Sequence, residues 1–406
     1  MYQPVTGKAV DMLVVVAPGQ GAQAPGFLSP WLEVDGVADH LAWLSAVADL
    51  DLVRHGTTSD ADEIRDTAVA QPLLVAAGLV TASALGGGAA VPIDAAAGHS
   101  VGEITAACLA GVLTEEQAMV LVRERGRAMA AAAAQAPTGM TAVMGGDVDT
   151  VVAAIESHGL TAANVNGAGQ VVAAGTTEQL AALAADPPPK ARLRPLAVAG
   201  AFHTTHMAPA VERLVSVTSG MPPRDPRVRL LANRDGAVVT SGRDAVERLV
   251  AQVSSPVRWD ACMQTMLDIG ATGMLELTPA GTLTGLARRG LAGVETFALS
   301  SPDQLDDARA FARRHTDGPA SQASTPPWRL VVAPIKGTVT TVTHGVGTLL
   351  DPGALVGHVR SLREAWDVVA PHGGRVVEWL VSDGDPVSPG QPLVRLHPDG
   401  DGEAAA

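Results

Sequence analysis

The residues whose types and spacing most clearly allow chemistry are Gly98-His99-Ser100-Val101-Gly102-Glu103. They have the G-x-S-x-G form, which puts a serine on a tight strand-to-helix turn. A small, apolar run from Val91 to Ala97 leads in, and an alanine-rich helical stretch, Ile104 to Val112, leads out. Both glycines suit the turn, because a Cβ at either position would crowd the backbone or the neighbouring strand. The serine oxygen is then held at a helix N-terminus, where free N–H groups meet developing negative charge. Attack by this serine needs a base, an orienter for that base, and an oxyanion hole. Of eleven histidines, His203 is the best base. It lies in Gly200-Ala201-Phe202-His203-Thr204-Thr205-His206-Met207, a polar loop between an apolar strand and a helix.

The elements that must position these residues can be read from patterning. Met12–Val16 is a short buried strand that runs into Pro18-Gly19-Gln20-Gly21-Ala22-Gln23, where a parallel α/β sheet places binding groups. Helices are expected at 36–52, at 61–85 after Ser59-Asp60 as N-caps, and from Thr114 to about Ala134. Thr114 with Gln117 reads as a capping box. From about 138 the order becomes β-α-β-β-α-β, ending in a strand at 191–198, which is the ferredoxin-like unit. The body resumes with helix 207–219, strand 228–232, helices 244–252 and 259–269, strand 272–276 and helix 281–290. Residues 317–328, rich in Gly, Pro and Ser, read as a linker. Beyond it Ala333-Pro334-Ile335-Lys336-Gly337-Thr338-Val339 recurs as Ala370-Pro371-His372-Gly373-Gly374-Arg375-Val376, 37 residues later. Short alternating strands with Gly and Pro turns make this a compact all-β module of two similar halves.

Composition narrows the class. The 406 residues exceed one ordinary domain. Hydrophobic content of 47% with 17% charge fits a chain with an ample core. A net charge of −14 argues against non-specific nucleic-acid binding. Two cysteines, Cys108 and Cys262, cannot form a disulfide framework. The N-terminus has no signal-peptide pattern, and the apolar stretch Leu73–Leu85 is too short for a membrane span. A cytoplasmic protein with no membrane partner is expected.

Residues 11–316 resemble the malonyl-CoA:acyl carrier protein transacylases, especially the free-standing actinobacterial type. The likeness rests on six ordered motifs: Pro18–Gln23, Gly98–Glu103, Val122-Arg123-Glu124-Arg125-Gly126 with Met129, Asn164–Gly167 with Gln170–Gly175, Gly200–Thr204, and Gln252 with Pro256-Val257-Arg258-Trp259. The resemblance implies an α/β-hydrolase-like parallel-sheet body (11–134 and 198–316) with the ferredoxin-like subdomain (135–197) inserted. It makes Ser100 the nucleophile, His203 the general base, and Gln252 the residue whose backbone carbonyl orients that base. The oxyanion hole would be the N–H groups of Gln20 and Val101, with His99 and Asn166 also in the pocket. Arg125 would hold the substrate's free carboxylate through its bidentate fork. Physics agrees, since a carboxylate buried beside the serine needs a partner. Arginines at 123, 125 and 127 cannot share one helical face, so one of them is left to point inward. Phe202 matches the position associated with malonyl rather than branched acyl groups; one methyl discriminates by about 1–3 kcal/mol in such a pocket.

The implied reaction is ping-pong transfer of malonyl from malonyl-CoA to an acyl carrier protein, in fatty-acid or type II polyketide synthesis, with no metal or tightly bound cofactor. The same serine and histidine could instead pass the acyl group to water as a thioester hydrolase, and a partner-binding scaffold is the reading from another class. An acidic carrier would need a basic patch; Lys190, Arg192 and Arg194, or Arg288-Arg289, are candidates.

Residues 329–398 resemble a biotinyl/lipoyl-type carrier domain, a flattened barrel. Counting back from Ala370-Pro371, the position of the modified lysine falls on Arg363, and the module's single lysine is Lys336. Arginine is not acylated by biotin or lipoate ligases, so neither group is expected. A docking role toward a carboxylase or synthase component, or simple covering of the enzyme, is the expectation for this module. Residues 1–10 and 399–406 read as tails.

Overall fold

The computed structural model describes residues 11–88, 91–167, 169–316, 329–342, 344–361, 364–371 and 373–397. The expected tails at 1–10 and 399–406, the linker at 317–328, and Arg363 lie outside the described residues.

In chain order the body contributes β1 (Leu13–Ala17) and β2 (Ala95–Gly98). The insertion contributes β3 (Thr138–Gly145), β4 (Thr161–Gly167), β5 (Gln170–Thr176) and β6 (Ala191–Pro195). The chain then returns with β7 (Arg229–Leu231), β8 (Val238–Val239), β9 (Val257–Arg258), β10 (Gly273–Glu276) and β11 (Glu295–Ala298). The body sheet runs β11-β10-β1-β2-β7-β8, parallel except where β8 turns back on β7. Every residue of β1 and β2 is buried, as in a parallel sheet covered on both faces. Ala17 pairs with Gly98 at the strand ends. The Pro18–Gln20 loop therefore leaves the sheet beside Ser100, at the carboxyl edge where such sheets bind ligands.

The helix at Thr67–Gly86 begins later than the sequence suggested, because two acidic residues divide the work of capping. Asp60 accepts from the N–H groups of Asp62 and Glu63 and closes a separate turn. Asp66 is the true N-cap, accepting from Ala68 N. The stretch expected at 36–52 also divides, into Val37–Ala48 and Leu52–Thr57, with Asp49 at φ 50° between them. At 20 residues, Thr67–Gly86 is long and apolar enough to cross a membrane, longer than the stretch read from the sequence. It is a core helix here, 83% buried over that window. Two glycines bring partners close to it. A Cβ on Gly126 would sit 2.9 Å from Thr67 O, and one on Gly78 would sit 2.7 Å from Thr105 Cγ2. Helices Glu115–Ala133 and Gly102–Leu109 thus pack tightly against it.

The insertion has the order β-α-β-β-α-β and an antiparallel sheet β6-β3-β5-β4. Its helices Val148–Ser157 and Thr177–Ala185 are capped by Asp147 and Thr176. The body adds a fifth strand, β9, parallel to β4. A two-residue strand leaves no period in a sequence, and only the helix after it was anticipated. Strand β11 and helix Leu305–Arg314 complete the body beyond the elements expected from the sequence.

The C-terminal module holds β12 (Arg329–Val332), β13 (Gly337–Thr341), β14 (Leu349–Leu350), β15 (Ala354–Arg360), β16 (Ala365–Ala370), β17 (Gly374–Trp379), β18 (Pro386–Val387) and β19 (Pro392–His397). Its two antiparallel sheets are β12-β19-β17-β14 and β16-β15-β13-β18. Exchanging the first four strands with the last four converts one sheet order into the other, so the sequence repeat is a structural two-fold. Its repeated residues do matching jobs. Ala333 and Ala370 are both buried, as are Val339 and Val376. A Cβ on Gly337 would collide with the Arg360 carbonyl, and one on Gly374 with that of His397.

Candidate active site

Ser100 sits at φ 54° and His203 at φ 62°, two of the four non-glycine residues with positive φ among those described. Strain of this kind concentrates where a fold over-determines a functional geometry. The elbow leaves no room for side chains at its glycines. A Cβ on Gly98 would collide with Gly102, and one on Gly102 with the Ala17 carbonyl. What remains is a serine held forward of the sheet, with Ser100 Oγ 2.7 Å from His203 Nε2.

The far side of the imidazole fixes its tautomer. His203 Nδ1 lies 2.9 Å from the backbone oxygen of Gln252. A carbonyl can only accept, so Nδ1 carries the proton and Nε2 is left as the acceptor facing Ser100. Burial, with the nearby Arg125 charge as second cause, pulls His203 down to about 3. The imidazole is therefore neutral at any ordinary pH, as a general base requires.

Arg125 is the inward member of its trio. Its side chain is 2% exposed, whereas Arg127 is exposed beside Asp49 and Arg123 is paired with Glu124. Its Nη2 donates to Gln252 Oε1 at 2.8 Å and reaches Ser100 Oγ at 3.4 Å, and its Nη1 donates to Gln71 Oε1 at 2.6 Å. Burial lowers its pKa to about 10, which leaves it charged. The structure thus brings a serine hydroxyl, a neutral imidazole and a guanidinium to one point.

The other expected residues surround that point. His99, half-buried, places Nε2 2.8 Å from Asn166 Oδ1 and its ring edge-on to Trp259, tying the elbow to the insertion. Asn166 in turn donates to Gln170. Phe202 is buried directly before His203. Gly19 packs against the His99 carbonyl, which sets the Gln20 loop beside the elbow. The Gln20 side chain points away, donating to Arg65 O at 3.2 Å. Val101 precedes helix Gly102–Leu109.

Three contributors escaped the sequence reading. Asn233, fully buried after β7, accepts from Ser100 N at 2.7 Å and donates to Gly98 O at 2.7 Å, clamping both sides of the elbow. Glu103 accepts from Asn233 N and from the Gln252 side-chain amide, and burial pushes its carboxyl up to about 8. Gln71 holds Arg125 from the core helix. Its signal was present: it is the lone polar side chain in the run Ala70–Val80. Asn233, within Asn-Arg-Asp-Gly, reads only as a turn.

Residues 14–317 match the family described as acyl transferase domain. The chain is 49% identical over 301 residues to the malonyl CoA-acyl carrier protein transacylase of Mycobacterium tuberculosis, covering 73% of this chain and 99% of that one. The Bacillus subtilis protein of the same name is 31% identical, over 64% of this chain and 83% of its own length. A crystal structure of the Mycobacterium tuberculosis enzyme aligns with a TM-score of 0.71, at 49% identity over 73% of this chain and 99% of that chain. A malonyl-transacylase in complex with a type II PKS acyl-carrier protein aligns with a TM-score of 0.69, at 29% identity over 74% of this chain and 99% of its own. By its residues, its fold and these likenesses, the chain belongs to the acyl transferase family, among the malonyl CoA-acyl carrier protein transacylases.

Proposed function

We propose that this chain moves malonyl from malonyl-CoA to the phosphopantetheine thiol of an acyl carrier protein through a malonyl ester on Ser100. The observation that carries this reading is the convergence of His203 Nε2 and Arg125 Nη2 on the same serine oxygen, at 2.7 and 3.4 Å. Ser100 Oγ attacks the thioester carbonyl while its proton passes to His203 Nε2. The new oxyanion is received by the N–H groups of Gln20 and Val101, and the malonyl carboxylate pairs with Arg125. Collapse breaks the C–S bond, and the departing thiolate takes the proton from His203. The carrier's thiol then gives its proton to Nε2 and attacks the ester; the ester C–O bond breaks, and the Ser100 oxygen takes the proton back from His203. Losing one oxyanion donor in such a site costs roughly 10²–10³ in rate. No tightly bound cofactor takes part in these steps.

Malonyl-CoA mixed with the enzyme, with and without carrier protein, tests this. Expected are a mass gain of one malonyl group, lost in Ser100→Ala, and its discharge only when carrier is added. Free malonate released at the same speed without carrier would make the chain a hydrolase.

Docking of an acidic carrier is supported on β6, an edge strand where Arg192 and Arg194 are exposed, with Lys190 exposed in the turn just before it. Arg288 and Arg289, exposed at the end of helix Thr282–Gly290, are the second candidate surface.

For the C-terminal module we infer a biotinyl/lipoyl-like fold that carries no biotin or lipoate. The two-fold relation of its sheets supports that fold. The hairpin β15–β16, closed by Ser361 N donating to Glu364 O at 2.8 Å, is where Arg363 replaces the acceptor lysine in sequence. A docking role toward a carboxylase or synthase component is our reading for it. An intact mass carrying biotin or lipoate would overturn the inference. The two free cysteines support a reducing, cytoplasmic setting.

A further inference from the structure

Arg125 is a buried cation whose direct partners among the described residues are neutral oxygens: Gln71 Oε1, Gln252 Oε1 and Ser100 Oγ. A buried guanidinium usually meets a carboxylate, because an unpaired charge is costly away from water. Here the carboxyl group in the neighbourhood, Glu103, stands one group further back and is bonded to the Gln252 amide. The cation is fixed in place without being neutralised.

Gln71 is the closer of the two amide clamps, at 2.6 Å from Arg125 Nη1. It is 1% exposed and comes from a helix whose buried residues are otherwise mostly apolar. Arginine only donates, so the amide oxygen must face it. The amide nitrogen is left with Met129 Sδ at 3.4 Å, a weak acceptor one turn along the arginine's own helix. The tight crossing at Gly126 sets this distance. A hydrocarbon at position 71 would pack equally well there but hold nothing, and a carboxylate would pair with the arginine permanently.

We propose that Gln71 is a positioning residue that sets acyl specificity, holding Arg125 by a neutral oxygen so that its charge stays available to the substrate's carboxylate. This rests on the reading that Arg125 receives that carboxylate. Gln71→Glu would put an internal carboxylate where the guanidinium fork is held, and charge-assisted pairing would then compete with malonyl. Gln71→Met keeps the volume and replaces the amide oxygen with a thioether, a weak acceptor, so the guanidinium loses its register.

The test is the rate of Ser100 acylation by malonyl-CoA and by acetyl-CoA, measured in the full chain and in both variants. In Gln71→Glu, kcat/KM for malonyl-CoA is expected to fall by about 10²-fold, the cost of a misplaced positioning group. The acetyl-CoA rate should change by much less, so the malonyl-to-acetyl ratio collapses. Gln71→Met should lower the ratio in the same direction, chiefly through KM. Equal losses on both substrates, or an unchanged ratio in either folded variant, would overturn the proposal. Should Gln71→Glu fail to fold, the near-isosteric Gln71→Met decides. A native enzyme with no preference for malonyl over acetyl would sink the Arg125 reading itself, which separates that failure from failure of the Gln71 role.

Discussion

At the scale of single residues, the site is built from groups whose ordinary ionisation has been displaced by burial. His203 is held down to about 3 and Glu103 pushed up to about 8. For catalysis, the neutral imidazole persists well below neutrality. Malonyl-serine formation should therefore show no loss with a histidine-like midpoint between pH 7 and pH 5, measured by quenched-flow mass analysis. For stability the signs are opposite. An unfolded chain protonates this histidine near its ordinary value of about 6.5, so the His203 contribution is present above that pH and is lost as pH falls toward 3. The Glu103 contribution is present below the ordinary carboxyl range and is lost as pH rises through about 8. Between pH 6.5 and 8.5 Glu103 acts without opposition from His203, so thermal stability should decline over that interval. The decline should be shallower in Glu103→Gln, which has no charge to gain. Equal slopes in the two proteins would remove Glu103 as its source. Neither shift was legible in the sequence, because each comes from contacts between segments far apart along the chain. Glu103 meets Asn233 and Gln252 only once β2, β7 and the helix Gly242–Gln252 are assembled. Ser100 and His203 were legible because their chemistry is declared by neighbours in sequence, the glycines and the polar loop.

At the scale of elements, small residues decide where the functional side chains end up. The crossing of Glu115–Ala133 on Thr67–Gly86 is close because position 126 has no side chain. Adding one in Gly126→Ala would press a methyl against Thr67 O and Ala68 Cα, at 2.9 and 3.2 Å. Such overpacking costs about 1–3 kcal/mol. Relief requires the helices to separate, and that lengthens the bond from Arg125 to Gln71. Gly126→Ala should therefore lower the melting temperature and raise KM for malonyl-CoA, with a smaller effect on kcat. A stable variant with unchanged KM would show that the arginine does not depend on this crossing. Element existence was readable from capping and period, as at Thr114–Gln117, where the capping box forms in both directions. Boundaries were less readable where two acidic residues competed to cap, as Asp60 and Asp66 did. Strands of two residues, β8 and β9, carry no period at all.

For the whole molecule, the question is how far the C-terminal module and the catalytic body depend on each other. The module's buried residues, among them Val339, Val356, Val368, Val376 and Val394, form a hydrophobic cluster of their own, and the module touches the body's cluster through the half-buried Val332. Among the described residues its eight strands pair only with one another. Ser100, His203, Gln252, Arg125 and Gln71 all lie before the linker and take their hydrogen bonds from residues that also precede it. Groups that share no partner influence one another by about 0.3–0.5 kcal/mol, roughly twofold in rate. A chain ending at Thr316 should therefore fold and form malonyl-Ser100 with kcat/KM within about twofold of the full chain. Circular dichroism establishes the folding, and single-turnover acylation reads the rate. Any role of the module in docking should then appear elsewhere, as weaker retention of a partner by the shortened chain while acylation is preserved. A truncated chain that folds yet acylates far more slowly would mean that the module completes the site, and the separation of the cores would have to be read as packing without functional independence.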